Sequence, residues 1–135
     1  MKTSKLAAII FTAILFIVAN VAMAQKAGGP WKVPDSYKNK KSTLKAGDPS
    51  IANVGKQIYM KDCKSCHGAK GLGDGAKAAT LKTIVPSFAD AKFKAQGAGD
   101  VYFQAFVGRD EMPNFEKKIT DEADRWAVIA YIKGL

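Results

Sequence analysis

The sequence predicts an all-α domain of about four short helices joined by long loops. Three observations carry this. Apolar residues recur at helical spacing in two segments, 51–59 and 126–132. Residues suited to helix starts and stops (Ser50, Asp100, Gly108, Thr120) bracket the candidate helices. No segment alternates with period two over a useful length, and there is no internal repeat.

Residues 1–24 read as a secretory signal peptide. Lys2 and Lys5 precede an uncharged run, 6–24, that ends in Ala22-Met23-Ala24. That small-x-small ending is a peptidase site, so the mature chain is expected to start at Gln25. The competing reading is an uncleaved anchor, since the run is just long enough to span a bilayer. No second apolar run approaches that length. The net charge of +9 falls to +7 when Lys2 and Lys5 leave. Residues 25–50 hold six lysines against Asp35 and Asp48, and residues 51–135 keep only +3. The basic character therefore sits in the arm.

Residues 25–50 contain three prolines, three glycines and no periodicity, and read as an arm or linker. A helix is expected from Ile51, capped by Ser50, running into Cys63-Lys64-Ser65-Cys66-His67. Ile51, Val54, Gly55, Ile58 and Tyr59 share one of its faces. Glycines 68, 71, 73 and 75 end it in a loop. Residues 83–88 are expected to be extended, because Pro86 pushes Val85 out of the helical region. Asp100 is placed as the cap of a short helix 101–107, which Gly108 stops. Thr120 is placed as the cap of the last helix. Asp121 and Glu122 suit that helix's positive end, and Trp126, Ile129 and Ala130 line one side.

Both cysteines and the one histidine fall within Cys63–His67. Cysteines at i and i+3 on a helix point to one side, with Cβ atoms about 5–6 Å apart. That suits attack on the two vinyl groups of a single haem, and His67 can then bring a ring nitrogen under the iron. A structural zinc site needs four ligands, and Cys and His total three here. A thioredoxin-like pair would want a strand before it. A disulfide would close too small a loop to add much stability. One covalent haem c is the expected cofactor. It would serve as an apolar plate for a thin core, so the haem-loaded form should be the more stable.

The sixth iron ligand is reached by elimination. Met60 lies one turn before Cys63, on the histidine side, and reads as core packing. Met112 is 45 residues after His67, in a loop stiffened by Pro113. The open alternative is a vacant or lysine-held distal side. With both axial positions filled, the iron would move one electron and bind no substrate. The chain is therefore not expected to be an enzyme.

With CKSCHG and MPNF placed, residues 51–135 resemble the class I cytochrome c family, and RDEMPNFEKKIT with the segment after it resembles small periplasmic bacterial members. The resemblance implies a cytochrome c-like fold. In it Gly55 and Tyr59 on the first helix meet Val128 and Tyr131 on the last. It also implies that the Pro86 carbonyl accepts a hydrogen bond from the second nitrogen of His67. Phe88 departs from the family's usual leucine and is expected to alter packing near the haem.

The function expected is a monohaem carrier passing single electrons between protein partners outside the cytoplasmic membrane, in a periplasmic respiratory chain. Two other readings fit the same residues: a haem subunit held in a larger complex through the arm, and a gas-binding sensor. Counting two haem propionates and ferric iron, the domain's charge is about +2, which steers partners weakly. Lys61, Lys64, Lys70 and Lys77 offer a local basic patch. Nucleic acid is not expected as a partner. Membrane contact is confined to the arm or an uncleaved leader, and a monomer is expected.

Overall fold

The computed structural model describes residues 25–45 and 47–135. The leader and its cleavage site lie outside the described residues. Among these residues there are six α-helical segments and no sheet. We label them α1 (Asp35–Lys38), α2 (Pro49–Asp62), α3 (Lys64–His67), α4 (Ala91–Lys94), α5 (Ala98–Val107) and α6 (Glu122–Gly134), with a 3-10 turn at Ala78–Thr80. The additions to the named helices, α1 and α4, are single turns, and α3 is the last turn of the helix expected from Ile51, set apart by a bend. Among the described residues the β-type pairings are isolated bridges, Lys26 with Thr83 and Arg109 with Met112.

All three expected caps are displaced by a few residues. Asp48 caps α2 and accepts from the Ser50 amide at 2.9 Å. Pro49 then occupies the first turn, where its missing N–H costs nothing. Asp100 acts from inside α5, reaching back to the Gly97 amide at 2.8 Å, as the third residue of a capping box does. Asp121 caps α6 by accepting from Asp124 N, leaving Thr120 outside.

α2 and α6 cross through the core, and α5 packs against α6. Trp126, Tyr59, Phe106, Ile129 and Val128 are the largest side chains removed from water. Ala130 is exposed; Ala127 is buried in its place. The reason is Gly55. A Cβ there would lie 2.7 Å from the Ala127 carbonyl carbon and 3.0 Å from Tyr131 Cβ. The expected meeting of α2 and α6 is thus made on backbone, with the Tyr59 and Tyr131 rings 5.3 Å apart beside it. Val54, expected on this face, is exposed instead.

Residues 25–45 do not hang free. Tyr37 stacks edge-on against Phe103 of α5 at 4.9 Å, and Trp31 meets the same ring at 6.1 Å. Lys40 pairs with Glu122 at 2.9 Å. Gly99 is buried because the α1 backbone lies on it; a Cβ would stand 3.0 Å from the Lys38 carbonyl oxygen. No helix among the described residues is long and apolar enough to cross a membrane.

Candidate haem-attachment site

The long helix expected through residue 67 is split at Cys63, whose backbone (φ −112°, ψ −34°) turns the chain from α2 into α3. Hydrogen bonding continues across the bend: Cys63 N donates to Tyr59 O at 2.9 Å and His67 N to Cys63 O at 3.0 Å. Cys63, Cys66 and His67 are therefore held on one short, hydrogen-bonded segment. Both thiols are free and half-buried. Cys63 packs against the core. Burial, with the Asp62 carboxylate alongside, pushes its thiol up to about 12. That carboxylate is itself held by Lys118 at 2.6 Å.

The glycine loop is built onto this segment. Gly73 N donates to His67 O at 2.9 Å, Gly75 N to Cys66 O at 3.2 Å, and Lys77 N to Ser65 O at 2.8 Å. Tyr59 Oη donates to Gly68 O at 2.6 Å from a fully buried position. Gly73 (φ +76°) lies against the Val85 carbonyl and leaves no room for a side chain. The loop thereby fixes the extended 83–88 segment beside His67, and Phe88 N donates to Gly71 O at 2.7 Å.

Burial lowers the His67 pKa to about 4, so its imidazole is neutral at physiological pH, the form in which a ring nitrogen can ligate a metal. Its Nδ1 is buried and has no hydrogen-bond partner among the described residues. The bond to the Pro86 carbonyl is not made here. Instead the imidazole lies nearly parallel to Phe88, at 4.7 Å and 24°, and Phe88 stacks in turn on Phe93 at 4.5 Å. The sequence marked Phe88 as a departure in packing but gave no sign of this stack, since residues 67 and 88 are joined only through the loop.

Met112 sits half-buried in a tight turn. Arg109 N donates to Met112 O at 3.0 Å and Met112 N to Arg109 O at 2.9 Å, with Asp110 at φ +50° between them. Gly108 is more than a helix stop: at φ +69°, its Cβ would strike the backbone of Met112, Pro113 and Asn114 at 2.6–2.7 Å. On the far side of the loop, Arg125 Nη2 donates to Glu116 O and Nε to Ile119 O, both at 2.7 Å. Arg109 and Arg125, which fix this loop at its two ends, were not singled out from sequence. Met60 is half-buried, packs on the core and borders a shallow cleft of about 310 Å³ with Lys61, Lys64 and Ser65.

The donor set fits a covalently held haem. Two free thiols three residues apart, a neutral imidazole with an orphaned buried nitrogen, and aromatic walls from Phe88 and Tyr59 are what thioether attachment and axial ligation require. No three or more His, Cys, Asp or Glu side chains among the described residues form a separate metal cluster. These features define a c-type haem protein. The family model described as cytochrome c matches residues 52–135. The chain belongs to the cytochrome c family, with an all-α cytochrome c fold, covalent haem c and an electron-transfer role. No curated protein matches the chain.

Proposed function

We propose that the mature protein is a diffusible monohaem carrier, exported and working outside the cytoplasmic membrane, in a bacterial periplasm. Cys63 and Cys66 would hold the haem, and His67 and Met112 would ligate its iron. The Pro86 carbonyl would orient His67 by accepting a hydrogen bond from its second ring nitrogen. The haem supplies a one-electron couple at the iron. The protein's residues keep that centre fixed and dry: Tyr59 ties the attachment segment to the glycine loop, Phe88 covers the His67 face, and the turn at Arg109 presents Met112. The observation that carries this reading is the single short hydrogen-bonded segment bearing both free, half-buried thiols and a neutral histidine.

Export is supported by the leader and by Gln25, the expected first mature residue. Its side-chain amide already docks on the domain, donating to Ala78 O at 2.7 Å and Leu81 O at 2.8 Å. A carrier is favoured over a complex subunit because the arm's Trp31 and Tyr37 rest on the protein's own Phe103 and not on an exposed face. Lys61, Lys64, Lys70 and Lys77 are all exposed and form the surface we assign to an acidic redox partner protein. Spectroelectrochemical titration of the purified protein tests the reading. One reversible one-electron transition in a monomer supports it. A haem that is not reversibly reduced, or one isolated only within a larger assembly, overturns it.

A further inference from the structure

We propose that residues 25–31 are a strap that positions the Met112 loop, acting through Arg109. The inference rests on Met112 being the axial ligand.

The Arg109 guanidinium has no carboxylate bound at close range; Asp110 is 3.9 Å away. It is spent on the arm instead. Nη1 donates to Pro30 O at 3.0 Å, Nη2 donates to Gly29 O, and the cation lies 4.0 Å over the Trp31 ring. Trp31 is braced from behind by Phe103. The same Arg109 closes the turn onto Met112 through two backbone hydrogen bonds. Three residues of arm and one side chain thus fix the chain three positions before the ligand.

A second tie closes the circuit. Lys26 N donates to Lys82 O at 2.9 Å and Ile84 N to Lys26 O at 3.0 Å. The Glu111 carboxylate, next to Met112, accepts from Lys82 N at 3.0 Å and Thr83 N at 2.8 Å. The arm therefore pairs with the 82–84 segment, that segment holds Glu111, and Arg109 returns to the arm. The ring of contacts joins the loop carrying Met112 to the segment leading to Pro86. A thioether is a weak ligand on a loop with no regular structure of its own; anchoring both flanks of that loop lowers the freedom lost when it binds. Arg109 is a positioning residue, and Trp31 is the platform that orders it.

The test is imidazole binding to the ferric haem-loaded protein, where imidazole competes with Met112 for the iron. Arg109→Gln and Trp31→Ala should each bind imidazole roughly tenfold tighter than wild type, as expected for losing charge-assisted bonds that hold the loop. Arg109→Lys keeps a cation over Trp31 but cannot serve two carbonyls in a fork, and should fall between. Amide hydrogen exchange of the 108–115 segment should quicken in Trp31→Ala, a readout independent of the haem. Should Arg109→Gln fail to hold haem, Trp31→Ala and Arg109→Lys carry the test. Wild-type imidazole affinity and wild-type exchange in these variants overturn the strap, provided Met112→Ala changes the spectrum. An unchanged Met112→Ala spectrum overturns the ligand assignment and the strap with it.

Discussion

Gly55→Val probes the contact on which the core depends. A side chain at 55 must occupy space held by the Ala127 peptide, 2.7 Å from its carbonyl carbon, and by Tyr131 Cβ at 3.0 Å. Flexible side chains could yield; a helix backbone cannot do so locally. Ala127 is flanked by Trp126 and Val128, each 2% exposed, so α6 must move as a body. Overpacking of this kind costs about 1–3 kcal/mol, and an obstacle made of backbone places this case at the upper end. Valine gains about 0.5 kcal/mol over glycine in helix propensity, which offsets little of it. A net loss of roughly 2–3 kcal/mol lowers Tm by about 10–20 °C in a domain of this size. Thermal unfolding of the haem-loaded protein, followed by far-ultraviolet circular dichroism, reads it. Gly134→Ala is the control, because nothing lies within 4 Å of a Cβ there. If Gly55→Val melts within about 2 °C of wild type, a shift worth well under 1 kcal/mol, then α2 and α6 do not touch at Gly55 and the reasoning fails.

Intact mass should show a chain starting at Gln25 plus one haem; retention of residues 1–24 would refute cleavage. Cys63→Ala or Cys66→Ala should each leave a haem held by one thioether, and the double variant should release it to acidified butanone, whereas wild type keeps it. Met112→Ala should keep the haem but give a high-spin ferrous iron, while Met60→Ala, which touches only packing, should keep the wild-type spin state. Glu122 should contribute an acid-sensitive part of stability. Its carboxyl is pushed up by burial, but hydrogen bonds from Tyr102, Lys40 and Trp126, with the Lys40 charge, outweigh this and leave it below the ordinary range; Arg125 also faces it at 3.6 Å. A folded pKa below the unfolded one means the contribution is full above the ordinary glutamate value and fades as pH falls through the folded one. Glu122→Gln should therefore lose stability at neutral pH and flatten the acid limb of a Tm–pH curve. A parallel downward shift with an unchanged acid limb would count against it.

The candidate haem site was readable from sequence because its residues are local: CKSCH carries two thiols and an imidazole on five consecutive positions, although the bend at Cys63 was not foreseen. The close approach of two helices at Gly55 was implied by the family resemblance. The helix starts were legible only to within three residues. Ser50, Asp100 and Thr120 each have a competing neighbour (Asp48, Gly97, Asp121); Pro49 decides the first, a capping box the second, and the bond from Asp124 N to the Asp121 carboxylate the third. The arm was not legible as a packed element. Its hold comes from backbone carbonyls at 29 and 30, a side-chain amide at 25 and two aromatics six residues apart, none of which leaves a periodic pattern. The Phe88 stack on His67 was hidden for the same reason: a helix-end residue and a loop residue far apart in sequence are brought together only by the glycine loop between them.

The most direct measurement of the central claim, a closed six-coordinate centre built to pass electrons, is the absorption spectrum of the reduced protein under carbon monoxide at neutral pH. If His67 and Met112 both ligate the iron, as proposed, the spectrum is expected to stay that of the low-spin reduced form. A shift to a carbonyl complex would show an open distal side, contradict the assignment of Met112, and move the protein from electron carrier to gas-binding haem protein.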